Sequence, residues 1–326
     1  MCWGKWWVQE LRTTMSNFTA GSGFLLLTFS EVRELQLLHF FVFLALYLTA
    51  VTGNLLIIMA VALDHHLHTP MYFFLMNLAV LDIGSISVAI PKSMMQSLLN
   101  SKWISFSGCA AQVFFYFFFA AANFSILTIM AHDRCVAICK PLHYERIMHK
   151  GACIQMAGSA WIAGMLYGIL HTGGTFAINF CSNIVNQFFC EIPKLLILSC
   201  SDLYLVEVGF IAASCCAVLS CFIFMITTYI QIFMAVLKVP SARGQKKALS
   251  TCLPHLIVFS LFLLTSIFAY VVPPSNSSSE QGLIFAIIYI TVPPTMNPVI
   301  YSMRNKEIKL ALQKMLTVRH SSTTIP

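Results

Sequence analysis

The sequence predicts an all-α membrane protein: a seven-transmembrane helix bundle followed by a short amphipathic C-terminal helix. Three observations carry this. Of 326 residues, 58% are hydrophobic and only 10% charged, with mean hydropathy +0.80. A soluble domain carries roughly 25% charged residues. Seven segments, roughly 39–63, 71–97, 108–135, 152–173, 205–237, 249–272 and 282–303, can each supply the run of about 20 apolar residues that crosses a bilayer as a helix. Thirteen of the nineteen Lys and Arg fall in 134–150, 238–247 and 304–319, and the other six (Lys5, Arg12, Arg33, Lys92, Lys102, Lys194) lie in the complementary segments. The net charge of +7 is therefore a topology signal, with basic loops in the cytosol, rather than a nucleic-acid footprint. An odd number of crossings puts the termini on opposite faces, and the basic loops then place the N-terminus outside and the C-terminus inside.

Residues 1–37 read as an extracellular tail. Phe24-Leu25-Leu26-Leu27 is too short to span, and with no basic-then-apolar leader and small-residue cleavage site, no secretory signal peptide is expected. Asn17-Phe18-Thr19 is a glycosylation sequon, and Trp3, Trp6 and Trp7 suit an interfacial anchor. Residues 38–303 form the membrane domain, with short linkers apart from the 174–204 loop. No internal repeat is visible, which argues against an inverted-repeat transporter. Residues 304–326 form a cytoplasmic tail. There Ile308, Leu312, Met315 and Leu316 share one helical face with Lys306, Lys309 and Lys314 off it, as in a helix lying in the membrane interface. Residues 317–326 are expected to be disordered.

Polar groups inside the apolar segments are the candidate functional residues, because they are costly there. Asp82 lies midway along the second segment, with Asn54 in the first and Asn297 in the seventh. The bland reading is interhelical hydrogen bonding. Pro298 has no backbone N–H, so it leaves a carbonyl free for a nearby polar group. The third segment carries no Lys, Arg, Asp or Glu from 110 to 132, then ends in Asp133-Arg134 at headgroup depth. Such a pair is either a solvated helix end or a switch in which Asp133 holds Arg134 in one state and releases it in another.

Of twelve cysteines, Cys109, Cys181, Cys190 and Cys200 face the oxidising side, where disulfides persist; sequence leaves three pairings open. Cys135, Cys139, Cys153, Cys215, Cys216, Cys221 and Cys252 read as small buried residues. None has metal-ligand spacing with a nearby His, so no metal or other cofactor is expected. No intramembrane Ser-His-Asp, di-acid or His–metal cluster is apparent, so the chain does not read as an enzyme. Residues 282–303 contain no Lys, so a retinal Schiff base has no attachment point there.

Five spaced stretches identify the family. Met130-Ala131-His132-Asp133-Arg134-Cys135-Val136-Ala137-Ile138-Cys139-Lys140-Pro141-Leu142-His143-Tyr144 resembles the end of the third helix of the rhodopsin-like G-protein-coupled receptors, and specifically of the tetrapod-type (class II) olfactory receptors. Gly53-Asn54, Leu67-His68-Thr69-Pro70-Met71-Tyr72-Phe73-Phe74-Leu75, Lys247-Ala248-Leu249-Ser250-Thr251-Cys252 and Pro294-Thr295-Met296-Asn297-Pro298-Val299-Ile300-Tyr301 agree in order, and the resemblance covers about residues 17 to 316. Translation starting at Met15 fits that beginning.

The resemblance implies a plasma-membrane receptor that binds a small hydrophobic odorant and activates a stimulatory G protein, raising cyclic AMP. The alternative is the same fold serving a non-volatile ligand outside the nose. It implies the disulfides Cys109–Cys190 and Cys181–Cys200, which would fix the long loop as a lid. It implies a coupling switch of Asp133, Arg134, Tyr229 and Tyr301, and a polar cluster of Asn54, Asp82 and Asn297. Family positions give Tyr116, Phe117, Ala120, Ala121, Phe210, Ser214, Ile267, Tyr270 and Ile290 as ligand-binding residues. Tyr116 stands where amine receptors have an Asp, and no cationic group is seen there, so neutral ligands are expected, hydrogen-bonded by Tyr270, Ser214 or Tyr116. His171 is assigned to bundle packing. Three departures stand out: Asn123 where a Glu is common, Cys135 where Tyr is usual, and Leu263 in place of a polar residue of the sixth helix.

Overall fold

The computed structural model describes residues 23–27, 32–200, 204–238, 241–271 and 279–322, and at some helical positions, Ile267 and Tyr270 among them, the backbone alone. Asn17 and the three N-terminal tryptophans lie outside the described residues. Seven long helices form the bundle: α1 (Arg33–Leu63), α2 (Pro70–Leu99), α3 (Phe106–Cys139), α4 (Lys150–Phe176), α5 (Tyr204–Leu237), α6 (Ala242–Val271) and α7 (Ser279–Arg304). An eighth, α8 (Lys306–Ser322), follows the membrane domain. Among the described residues, five of the seven hold an apolar run long enough to cross a membrane. Helix α6 carries basic residues at its first end, and α7 contains three prolines. Ile162, Leu166 and Ile169 on α4 and Leu219 and Ile223 on α5 are each more than half exposed. Outward apolar faces of this kind are solvated by lipid rather than water.

The helix ends follow local chemistry. Ser105 Oγ accepts from Gly108 N (3.1 Å) at the start of α3. His149 Nδ1 accepts from Ala152 N (2.9 Å) at the start of α4, so an imidazole serves as the cap. Asn100 closes α2 in the left-handed region (φ 51°), where Asn is tolerated. The sequence places the first helix at 39, but it begins at Arg33. The Arg33 guanidinium donates to the Ser97 and Leu98 carbonyls (3.2 and 2.9 Å), and Gln36 Nε2 donates to Asn100 Oδ1 (3.2 Å). The polar first turn is thus used to cap the end of α2.

Helix α3 runs through the centre, packed against α2, α4, α5 and α6. Its approach to α4 depends on small residues: a Cβ at Gly164 would stand 2.7 Å from the Phe118 carbonyl oxygen, and one at Gly168 2.9 Å from that of Phe114. This is the close helix crossing that small residues four apart permit in membranes. Gly168→Leu is expected to part α3 from α4 and remove most of the receptor from the cell surface, as read by staining intact cells.

The outer end carries a small sheet. Phe24-Leu25-Leu26, too short to span, is its central strand β1 (Phe24–Leu26), antiparallel to β2 (Trp103–Ile104) and parallel to β3 (Ile184–Val185). Phe24 and Leu26 are buried while Leu25 faces out, the period-two alternation of a strand. At the other end, Ile308, Ala311, Leu312 and Met315 seat α8 against the bundle core; the Leu316 side chain lies outside the described residues. Residues 317–322, expected to be disordered, continue this helix. Lys314 Nζ reaches Asp64 Oδ2 at 3.3 Å, and Tyr72 OH donates to Glu307 Oε2 at 2.6 Å, so α8 is tied to the inner ends of α1 and α2.

Candidate functional site: a lidded helix bundle

At the outer end, Cys109 bonds Cys190 and Cys181 bonds Cys200, with Cα separations of 5.5 and 5.6 Å. The loop they hold drives Phe188 and Phe189, both fully buried, into the mouth of the bundle. Phe188 stacks near Phe43 (6.4 Å between ring centres), and Phe189 lies 6.2 Å from both Tyr116 and Tyr289. Gln112 on α3 accepts from Cys190 N (2.8 Å). Glu191 fixes the lid to α7: Tyr289 OH donates to Oε1 and Gln187 Nε2 to Oε2, both at 3.1 Å. Nothing in the sequence singled out Glu191; its position next to a disulfide cysteine was the available signal.

Burial pushes the Glu191 carboxyl above its ordinary value of 4.5, outweighing the two hydrogen bonds. A folded state that binds this proton more tightly than the unfolded chain loses stability as pH rises from the ordinary value through the raised one. Glu191→Gln, neutral at every pH, is therefore expected to flatten the fall in melting temperature between pH 5 and pH 8. Differential scanning fluorimetry of purified receptor and variant reads this directly.

Below the lid the proposed ligand positions fall into two groups. Tyr116 packs edge-on against Tyr289 (6.0 Å), and Ile290 is buried in the same cluster. Phe117 stacks on His171 (4.8 Å, 25° between planes). Phe210 lies where a Cβ on Gly174 would touch it (3.1 Å). Ala120 and Ala121, one turn below Tyr116 and Phe117, are partly exposed. The Ile267 and Tyr270 side chains lie outside the described residues. His171 is not mere packing. Its Nδ1 meets Glu207 Oε1 at 2.5 Å and its Nε2 meets Ser214 Oγ at 3.0 Å. The sequence shows no Ser-His-acid set because these three residues lie 36 and 43 positions apart on two helices. Ser214 sits inside α5, where the helix already uses the backbone N–H groups an oxyanion hole would need, so the chain of groups orders hydrogen bonds without forming a hydrolytic centre.

At mid-depth, Asn297 Nδ2 donates to Asp82 Oδ2 (2.7 Å) and Asn123 Nδ2 to Asp82 Oδ1 (3.4 Å). Asn54, grouped with Asp82 and Asn297 by resemblance, is bonded elsewhere. Its Nδ2 donates to the Pro294 and Ala50 carbonyls, both at 2.9 Å. Pro294 is four residues before Pro298, so its carbonyl is the one Pro298 leaves without a helix donor. Gly53 allows this approach, since a Cβ there would stand 2.9 Å from Pro298 Cβ.

At the end of the bundle opposite the disulfide-held loop, Asp133 and Arg134 do not pair with each other. Asp133 is buried, and its Oδ1 accepts from Tyr144 OH at 2.7 Å. Tyr144 begins a short helical turn (Tyr144–Ile147) of the following loop. Its phenol is held above its usual value by burial first and by Asp133 second, which keeps it a donor. Arg134 is half-buried and makes no hydrogen bond or ion pair with the described residues. Adjacent residues on a helix point in different directions, and the loop tyrosine is better placed for the carboxylate. Cys135 turns to α5, its thiol 3.5 Å from Gln231 Oε1, rather than to the loop. Tyr229 OH bonds His255 Nδ1, and His255 Nε2 meets the Leu127 carbonyl at 2.9 Å. Because a carbonyl only accepts, Nε2 carries the proton and Nδ1 accepts from Tyr229. His255, unremarked in the sequence, thus fastens α6 to both α3 and α5. Tyr301 is buried, with no partner for its hydroxyl among the described residues. Leu263 packs in an apolar cluster with Phe124, Met225 and Phe259.

Comparison with known proteins agrees with this architecture. The olfactory receptor family model matches residues 43–319. Human olfactory receptor 14A16 is 48% identical over 303 residues, covering 93% of this chain and 98% of its own. Human olfactory receptor 14I1 is 48% identical over 302 residues, 92% and 97% of the two chains. Gorilla olfactory receptor 1G1 is 43% identical over 304 residues, 93% and 97%. The chain belongs to the olfactory receptor family: it is a multi-pass plasma-membrane receptor of the seven-helix kind and not an enzyme.

Proposed function

We propose that this receptor binds small, neutral, hydrophobic odorants between the outer halves of α3, α5, α6 and α7 and activates a stimulatory G protein, raising cyclic AMP. The N-terminal tail, with Asn17 glycosylated, lies outside and the C-terminal tail inside. The observation that carries this reading is the arrangement at the cytoplasmic end. Arg134, at the inner end of α3, makes no hydrogen bond or ion pair among the described residues, while Tyr229 and His255 hold α6 closed beside it. A ligand favouring the open arrangement would release this latch and offer Arg134 to a G-protein helix. Shifting such an equilibrium from about 1:99 to 99:1 needs about 5.5 kcal/mol of differential affinity. A ligand of five to eight carbons, at about 0.8 kcal/mol per buried methylene, leaves after association costs only micromolar binding. Partial activation assisted by the G protein is the expected behaviour.

The polarity of the site supports neutral ligands. Glu207, the acid beside Phe210 and Ser214, is engaged by His171, so it is not a ready counter-ion for an amine. The experiment is cyclic AMP in cells co-expressing the receptor and a stimulatory G protein, across neutral volatiles, amines and carboxylic acids of matched size. A rise confined to neutral compounds is expected. A response dominated by amines or acids overturns the neutral-ligand assignment. Silence to all three classes in cells with surface-stained receptor overturns the volatile-ligand reading in favour of a non-volatile ligand.

A further inference from the structure

We infer that the N-terminal strand β1 is the gate of the ligand site: odorants enter and leave the bundle through the slot that β1 fills between the two outer loops. The inference rests on the proposed ligand site and assigns the route to it. The mouth above that site is covered by β2, by β3 with the Phe188–Phe189 segment, and by β1. The first two covers are tied covalently to the bundle. Strand β2 leads directly into α3, whose start carries Cys109, and β3 lies between Cys181 and Cys190, each in a disulfide. Strand β1 is in neither bridge. It is held by backbone pairing, with Leu25 N donating to the Asn183 carbonyl (2.7 Å), Leu26 N to that of Lys102 (2.8 Å) and Leu27 N to that of Gln187 (3.0 Å). Burial of Phe24 and Leu26 adds to this. A short element without a covalent tie is the part of such a cover that opens most readily.

The departure of β1 would open the site itself. Phe24 and Leu26 belong to the buried cluster of Cys109, Val113 and Cys190, against which Phe117 packs. Leu27 packs on the neighbouring cluster, which holds Phe188, Phe189 and Ile290 and meets Tyr116. The two groups of proposed ligand positions thus come together at this one strand. Phe24 sits between the rings of Phe106 (6.0 Å) on α3 and Phe180 (5.4 Å) on the long loop. Its withdrawal leaves an apolar, aromatic-lined gap of the size and chemistry of a small hydrophobic ligand. Gly23 lets the chain enter the slot: its φ is 139°, and a Cβ there would stand 2.2 Å from the Ile104 carbonyl oxygen, a position only glycine can take. The lid beside it is pinned instead, by Gln112 on α3 and by the Glu191–Tyr289 bond to α7.

The test locks the strand in place. Because Leu26 N bonds the Lys102 carbonyl, Leu25 and Trp103 form the adjoining non-hydrogen-bonded pair. Cα atoms in such a pair stand about 4.5 Å apart, within disulfide range. Both side chains are exposed, so Leu25→Cys with Trp103→Cys bridges β1 to β2 without touching the buried face. Loss of maleimide labelling confirms the bridge. The probes are straight-chain alcohols, aldehydes and ketones of five to eight carbons, and the readout is real-time cyclic AMP at matched surface staining. Onset in the bridged receptor is expected to be about tenfold slower than in wild type, as when opening of a cover limits the rate. External reductant should restore it, with wild type under the same reductant as control. Gly23→Ala, which pushes the strand out of its slot, should speed onset and decay alike and leave the half-maximal concentration within about twofold. Wild-type onset in the bridged receptor overturns this inference and assigns entry to a path between the helices from the bilayer. A shifted half-maximal concentration with unchanged rates overturns it too, making β1 a wall of the site. Silence of wild type to every probe at confirmed surface expression overturns the ligand reading beneath it, and the gate with it.

Discussion

Cys109→Ser is expected to abolish surface display of the receptor, and Cys190→Ser to do the same, with the double variant no worse than either. The bridge joins α3 to the lid across 81 residues of sequence. Closing a loop of that size restricts the unfolded chain by roughly 4–5 kcal/mol in the chain-entropy picture. Its loss also frees the segment that carries Phe188, Phe189 and Glu191 into the bundle mouth. Cys181→Ser breaks a bridge that closes a loop of only 19 residues, worth roughly 3 kcal/mol, and removes no lid contact directly. A milder fall in surface staining is expected there. Equal losses at the two bridges would mean that lid position is not what the first bridge secures.

The second large effect is expected at His255. His255→Leu removes the donor to the Leu127 carbonyl and the acceptor for Tyr229 in one change. Each buried group left unpaired costs about 1–3 kcal/mol, and that cost falls on the closed arrangement. A shift of about 2 kcal/mol multiplies the open fraction roughly thirtyfold, so ligand-independent cyclic AMP should rise several-fold at matched surface expression. Tyr229→Phe removes one of the two bonds and should show a smaller rise. Basal signalling that falls in His255→Leu, with the receptor at the surface, would mean the histidine supports the open state instead.

The bundle was legible because its signals are local. Seven apolar runs, basic loops and Pro298 are each visible within a short window, and the helix spans agree with those runs to within a few residues except at the ends of α1, α6 and α8. At α1 the end is set by partners distant in sequence. Arg33 extends α1 because the carbonyls it caps belong to α2. The free carbonyl near Pro298 was foreseen, and its partner Asn54 was known as a polar residue. That the two would meet, rather than Asn54 joining Asp82, depended on Gly53 letting α1 approach α7. The residues the sequence left obscure, Glu191, Glu207, His255 and Tyr144, share one property. Each acts through a partner on another segment, and a lone polar residue in an apolar run gives no sign of what it will face. Strands β2 and β3, two residues each, fall below any periodicity signal.

The central claim is that binding at the outer half is coupled to a G protein through Arg134. The most direct measurement is ligand-dependent cyclic AMP for wild type and Arg134→Ala at matched surface expression, using whichever neutral volatile activates the wild type best. The expected result is a rise in wild type that is lost in Arg134→Ala. A rise of undiminished size in the variant would contradict the claim, placing the coupling surface away from the inner end of α3.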